Sequence, residues 1–433
     1  MSTHTVTKTT SWFERLGNSF KGIIVGIVLF IAGSILLWWN EGNFVKTYKA
    51  LEEAQGVTVE LENIDTVDTS RNDALIHAIG TAVTEDILSD PILGISVNAI
   101  RLNRNVKYYQ WIEDSKSEKK QNLGGSEETT TTYSYRKDWV TSPVDSSRFH
   151  DTSHENTVLV RNVEKFSVQA KNVAFGAYRL PDFLINSIGG SESLTIELSD
   201  EVITKLNQQM ASPDSLPIPP PTPAPAEQDA TEESAQGTFA FDKEDSEEQN
   251  STPPTFPWVH VEGNTVYLGL SKAQPQVGDV EISFEWTKPN NEVSIIAKLV
   301  GSSFERYISK NKKEIAMLWV GSHSAESMYG SAHASNTMWT WILRFVGVFL
   351  ICIGLGMIVA PLSVFASVVP LLGKIVGFGT GLFSMFFGTA WSLVIIALAW
   401  LFYRPLIGII LLAAAVLLIV CIFTRKRPDT EIK

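Results

Sequence analysis

Two histidines four residues apart, His150 and His154 in the stretch HDTSH, have a spacing that on a helix would let two imidazoles share a metal ion. Asp151 and Glu155 lie beside them, but the setting is a polar loop and no third or fourth ligand is apparent. A structural hydrogen bond is the alternative, and no metal or cofactor is expected. The chain contains no glycine-rich phosphate loop, nucleophile elbow or HExxH metalloprotease pattern. Its long apolar runs hold no Asp or Glu, which excludes intramembrane proteolysis by paired aspartates. No enzyme is expected.

The other chemically distinctive residues sit in apolar surroundings. Arg344 lies well inside an apolar run, and an intramembrane charge marks a functional position by default. It is also about one turn from the outer edge of its run, so its stem can snorkel to water; contact with another helix or a lipid headgroup is the alternative. Lys374, between Pro370 and Gly377, falls in a broken stretch that reads as an interfacial helix or a re-entrant turn. Gly22 and Gly26 form GxxxG, and Gly373, Gly377 and Gly381 repeat the spacing. That pattern lets helices approach closely in lipid, although glycine is frequent in membrane helices in any case. Tyr403 and Arg404, beside Pro405, suit a short turn that anchors helix ends to headgroups.

These residues need membrane helices to position them. A hydrocarbon core of roughly 30 Å is crossed by about 20 apolar residues, and four runs qualify: 22–39, 339–361, 382–402 and 406–424, with 362–381 as the interfacial or re-entrant piece. Trp38-Trp39-Asn40 lacks the small-x-small pattern of a cleavage site, so the first run reads as a retained anchor. Lys8, Arg15 and Lys21 precede the first run, and Arg425-Lys426-Arg427 follow the last. Short basic flanks stay on the cytoplasmic side, which places the segment 1–21 and the tail 425–433 in the cytoplasm. Trp12, Phe13, Leu16 and Phe20 read as a short helix lying in the interface.

Residues 40–338 carry 25 Lys and Arg against 44 Asp and Glu, and the two ends carry 10 against 3. An acidic middle argues against nucleic-acid binding, which relies on basic side chains to displace counterions. Both cysteines, Cys352 and Cys421, fall within apolar runs, so no disulfide framework supports the water-facing part. That part divides at a linker, 212–257, which joins the polyproline run PIPPPTPAP to an acidic segment too poor in apolar residues to fold. On either side, 40–211 and 258–338 read as β-rich. Val57–Leu61, Leu75–Gly80 and Glu164–Ala170 suggest strands, and Asn105–Glu113 with Thr129–Val140 a long hairpin around Gly124-Gly125. A helix starts near Pro181, and a hairpin turns at Gly263-Asn264. The expected fold is an α+β membrane protein: four transmembrane helices, one N-terminal and three C-terminal, holding a large extracytoplasmic β-rich domain with oligonucleotide-fold-like barrel units.

Several blocks resemble the LUMA family, also called transmembrane protein 43, whose members include prokaryotic relatives; the chain reads as one of the prokaryotic type. They are Phe13-Glu14-Arg15-Leu16, Asn40-Glu41-Gly42, Leu88-Ser89-Asp90-Pro91, Tyr109-Gln110-Trp111, Tyr133-Ser134-Tyr135, Val277-Gly278-Asp279, Ser324-Ala325-Glu326, Ser335-Asn336 and Trp400-Leu401-Phe402-Tyr403-Arg404-Pro405-Leu406. The linker departs from the family pattern. The resemblance implies a multi-pass scaffold that self-associates as a homo-oligomer, contacts membrane lipids and other membrane or envelope proteins, and maintains envelope organisation. It would reside in the inner membrane of a bacterium, or in the endoplasmic reticulum or inner nuclear membrane of a eukaryote. A lipid-handling or transport protein, using a cavity between the spans and the β domain, is the alternative.

Overall fold

The computed structural model describes residues 3–157, 163–210 and 258–405. The expected linker 212–257, fourth span 406–424 and basic tail 425–433 lie outside the described residues. Within them, three helices are long and apolar enough to cross a membrane: α1 (Trp12–Val57), α2 (Ala325–Ala366) and α3 (Pro370–Tyr403).

Ser11 starts α1 by accepting a hydrogen bond from the Glu14 amide at 3.2 Å. The helix then runs 46 residues without a break, about 69 Å at 1.5 Å per residue and more than twice a hydrocarbon core. The separate interfacial helix expected at 12–20 is therefore its first turns. The surplus at the other end reaches Val57, and the strand expected over Val57–Leu61 follows it as the short piece Val59–Glu60, parallel to Ile76-His77. There α1 and the start of α2 form a stalk against the β domain, burying Ala50, Leu51, Ala54, Met328 and Tyr329 with Leu75, Ile296 and Ile315. The end of the bundle that carries this domain is the domain end; the opposite one is the distal end.

α1 and α2 pack antiparallel because small residues let their backbones meet. A Cβ on Gly26 would lie 2.6 Å from the Gly354 carbonyl oxygen, and one on Gly33 would lie 2.9 Å from that of Gly347. At the distal end α2 continues through Pro361, a turn at 367–369 follows, and α3 starts on Pro370. The stretch 362–381, expected as an interfacial or re-entrant segment, is a tight helix-turn-helix made of the end of α2, the turn and the start of α3: Pro370 at the first helical position allows the chain to reverse without losing a hydrogen bond.

The β domain holds two large sheets. The eight-stranded one has the central order β1 (Thr3–Thr10), β4 (Glu127–Val140), β3 (Arg101–Gln121), β8 (Val280–Thr287), β7 (Thr265–Leu268), β6 (Val259–Glu262); β5 (Phe166–Gln169) adds to β3 and Glu192–Ser193 to β8. Residues 101–110 of β3 alternate buried and half-buried, whereas 114–120 are exposed. The root of the β3–β4 hairpin therefore belongs to the core, and its outer half leaves the domain as a ribbon.

In the second sheet β9 (Asn290–Val300) pairs with β2 (Leu75–Val83), with β10 (Met317–Val320) and with Ser303–Glu305. A path from Ser303–Glu305 through Tyr178–Arg179 and Ala174–Phe175 returns to β2, closing a circuit of five strands. Val293 to Ala297 are buried without alternation, because the core covers one face of β9 and the stalk the other. Ile76, Leu102, Phe175, Ile282, Phe284, Ile295 and Leu299, each at 0% exposure, join both sheets in one core.

The N-terminal strand is the main departure from the sequence reading. β1 pairs antiparallel with β4 from Thr3↔Ser134 to Thr10↔Glu127. A segment assigned to one side of the membrane is therefore laddered to the domain assigned to the other.

Candidate functional site

Where α1 leaves the apolar belt at the domain end, three helices are fastened by Asn40, Glu41 and Gly42. The Asn40 side-chain amide donates to the Thr340 carbonyl at 3.0 Å. Glu41 is 1% exposed. Arg344 on α2 donates to it through both arms of the guanidinium, Nε to Oε1 at 2.6 Å and Nη2 to Oε2 at 2.9 Å. Trp400 on α3 adds an indole hydrogen bond to Oε2 at 2.8 Å. The Arg344 guanidinium carbon also lies 4.8 Å from the Trp341 ring centre and 5.7 Å from that of Trp400. A fork-on-carboxylate pair enclosed by aromatic faces satisfies both charges and leaves the cluster neutral. Arg344 thus follows the inter-helix alternative: Glu41 lies within reach, so the guanidinium has no need to snorkel.

The next turn presents a different surface. Tyr403 covers Gly42 so closely that a Cβ there would sit 2.6 Å from the ring. The Arg404 guanidinium carbon lies 4.6 Å over Phe44 and 5.9 Å from Trp400. Phe44, Tyr48, Lys49, Glu52, Tyr403 and Arg404 line an open groove of about 630 Å³. Two cations beside aromatic walls at the mouth of an apolar belt make it chemically suited to a phosphate on an acyl-chained molecule.

The other expected site residues separate into different places. Gly26 serves intrachain packing, and Gly22 touches only the Met357 methyl group at 3.8 Å. Gly373 packs on Ser367 and Gly377 on Ser363 at the distal turn, while a Cβ on Gly381 would meet nothing within 4 Å. Lys374 is exposed there too, some 33 Å from Arg344 by the 22-residue offset along α2. The two cations do not line one cavity. His150 stacks on Tyr133 with ring centres 3.7 Å apart and approaches Glu113 at 3.1 Å. His154 stacks on Tyr135 at 4.2 Å, edge-on to Trp111, with Nδ1 3.2 Å from Asp151. Each ring therefore fastens the loop 146–157 to the hairpin, and among the described residues no group of three or more His, Cys, Asp or Glu could hold a metal.

Two knots of buried polar groups hold the β domain. Asp90 accepts from the Ile92 and Leu93 amides and from Arg104 at 2.5 Å, with 0% of its side chain and 4% of the arginine's exposed. Asp279 accepts from the Gln276 amide at 2.8 Å and from the Tyr267 hydroxyl. Burial pushes the Asp279 carboxyl above the usual carboxylate range, and burial with the Asp279 contact pushes the Tyr267 hydroxyl up as well.

Sequence reasoning picked out Arg344 and Arg404 by charge in an apolar setting. It missed Glu41 as a partner because Glu41 falls just beyond the 22–39 run; the signal was the block Asn40-Glu41-Gly42. It also missed Trp12 and Arg15, discussed below, whose partners lie more than a hundred residues away.

The profile described as "Transmembrane protein 43" matches residues 108–405. The rat protein named Transmembrane protein 43 (Rattus norvegicus) is 28% identical over 97% of this chain and 93% of its own length. The human one (Homo sapiens) is 27% identical over 98% and 95%, and the Drosophila melanogaster homolog 25% identical over 93% and 94%. No solved structure matches. With the profile spanning well over half of the sequence, the chain belongs to the transmembrane protein 43 family.

Proposed function

We propose that the protein is a multi-pass membrane scaffold that self-associates and presents its β domain to partner proteins or lipids, without catalysing a reaction. The carrying observation is the junction at the domain end. There Glu41, Arg344 and Trp400 fasten three helices at one level, and the stalk continues without a break into the β domain. The Tyr307 hydroxyl and the Lys310 amide both donate to Glu53 on that stalk, at 2.9 and 3.1 Å. A domain held this way keeps a fixed height and orientation over the bilayer, which is what a presenting surface requires. The closed five-strand circuit is, in this reading, the oligonucleotide-fold-like barrel element. Proximity labelling from the β domain tests the proposal. Enrichment of a reproducible set of membrane proteins supports it; a set indistinguishable from that of an unrelated domain on the same anchors removes it.

A lipid-handling role is the second reading, favoured by the groove between Phe44, Lys49 and Arg404. The separation of Arg344 from Lys374 speaks against a polar path through the bundle, so lipid would be held at the interface and not conducted. Substituting Arg404 and Lys49 together by Gln should lower the phospholipid that co-purifies with the protein; unchanged lipid content removes this reading.

A further inference from the structure

The ribbon that leaves the β domain does not extend away from the membrane anchor. Its tip docks on the distal end of the bundle. Arg15 donates to the Gly125 carbonyl at 2.6 Å and pairs with Glu127 at 3.5 Å. The Gly124 amide donates to the Val368 carbonyl at 3.1 Å, and Trp12 donates to Val364 at 2.9 Å. The eight-residue ladder of β1 on β4, with residues 114–121 of β3 beyond it, extends about 26 Å at roughly 3.3 Å per residue. The apolar belt of α1 from residue 22 to 39 extends about 27 Å at 1.5 Å per residue. The ribbon therefore runs beside the helices through the whole depth of that belt.

Hydrocarbon cannot be its surroundings there. This stretch carries Asp114, Lys116, Glu118, Lys119, Lys120 and Lys8, and among the described residues neither lateral edge has a further strand partner, so both leave backbone groups unpaired, which lipid does not tolerate. One edge is β1, whose residues 3–9 are exposed; the other is β3 from 114 to 121, which among the described residues has a ladder partner only on the β4 side. The edges match. Thr3–Thr10 and Asp114–Gln121 lie level across β4, and since each is antiparallel to β4, both run toward the tip.

We propose that the β1 edge of one copy pairs with the β3 edge of the next, in parallel, so that the ribbons of several copies close into a continuous polar wall at membrane depth. The helices of each copy then stand outside, separating that wall from lipid. The partner is a second copy of this chain because every copy offers one of each edge at the same height, and a head-to-tail contact between copies held in one membrane plane closes into a ring where the rotation between them divides a full turn. The inference rests on the self-association in the proposed function and adds its interface. It also reconciles the basic flanks with the ladder: β1 lies on a water-filled path through the bilayer plane, not across a lipid barrier.

Thr5 and Lys116 lie level, both opposite Thr132. Two strand spacings, roughly 10 Å, separate them within one chain, too far for an internal disulfide. In a chain with Cys352 and Cys421 replaced by Ser, T5C together with K116C should give, under mild oxidation in native membranes, a ladder of covalent oligomers ending at one size. T5C or K116C alone should give none of that ladder. E118C, on the ribbon face turned away from Arg15 and Val364, should react in sealed vesicles with a membrane-impermeant maleimide, while I24C on the lipid-facing side of α1 should not. Oligomers that persist in mild detergent without the edge cross-link overturn the edge pairing and leave self-association standing. A strictly monomeric protein overturns both. Protection of E118C from the maleimide overturns the aqueous wall even if the cross-link forms.

Discussion

The ion pair between Glu41 and Arg344 allows a quantitative test of the junction. With 1% of the carboxylate side chain and 15% of the arginine's exposed, the pair is buried, and both guanidinium arms are engaged at 2.6 and 2.9 Å. Two unit charges about 4 Å apart attract by about 4 kcal/mol at an effective dielectric constant of about 20. Desolvation offsets much of this in the intact pair, but removing one partner leaves the other charge buried and unmatched, a loss of about 3–5 kcal/mol. Glu41→Gln should therefore destabilise the helical bundle by about 3 kcal/mol even though its amide oxygen still accepts from Trp400. Arg344→Gln should do at least as much, because Glu41 then keeps a full charge with only the indole as donor.

The double variant discriminates between explanations. With neither charge present there is nothing left to strand, so Glu41→Gln combined with Arg344→Gln should lose only about 1–2 kcal/mol, far less than the sum of the single losses. Arg344→Lys should fall between wild type and Arg344→Gln, since an ammonium cannot occupy both carboxylate oxygens in the plane of the fork. Unfolding in mixed micelles titrated with a denaturing detergent, followed by circular dichroism, measures all four. Additivity within about 0.5 kcal/mol would refute a coupled pair, and single losses below about 1 kcal/mol would refute its burial.

Gly26→Ala should destabilise the α1–α2 contact by about 1–3 kcal/mol, because the added methyl group would press on the Gly354 carbonyl 2.6 Å away; the same detergent titration reads it, with Gly381→Ala as a near-neutral comparison. Arg104→Met should lower the stability of the β domain by about 3–5 kcal/mol by stranding the Asp90 carboxylate, seen as an earlier β-structure transition in urea. Asp279 makes stability depend on pH in a defined direction. Its folded pKa is raised, so the folded state holds the proton more tightly than the unfolded one. Its contribution is fully present below the ordinary Asp value of about 3.9 and is lost as pH rises through the raised value. Asp279→Asn, which can still accept from Tyr267, should flatten that part of the stability–pH curve, and an unchanged slope would exclude Asp279 as its source.

The sequence made legible what depends on local pattern. Apolar run length located three crossing helices, and alternation with turn residues located the β3–β4 hairpin and the β6–β7 hairpin at Gly263-Asn264. What it hid was continuation and long-range partnership. A span boundary read from hydropathy stops where the residues turn polar, yet α1 continues as a helix to Val57 because Ala50, Leu51 and Ala54 bury against the β domain. Thr3–Thr10 has Val6 as its one apolar residue, so no apolar alternation marks a strand in isolation. It becomes one because β4 supplies eight residues of matching ladder. Likewise Arg344 looked like a charge needing water, since its partner Glu41 is 303 residues away in sequence.

The buried polar groups follow a common logic that bears on what the fold is for. Asp90 takes two backbone amides and Arg104, Asp279 takes the Gln276 amide and Tyr267, and Glu41 takes Arg344 and Trp400. Each carboxylate is matched by donors from its own chain, which fixes loops and helix ends in one arrangement and leaves little capacity for an incoming substrate. The Arg404–Lys49 groove and the two ribbon edges are different. Their cations and backbone groups face outward, the first toward the bilayer interface and the second along its depth. In the proposed reading, these outward-facing groups are where lipid and a second copy would bind. That distribution fits a protein whose work is to hold position and to be joined.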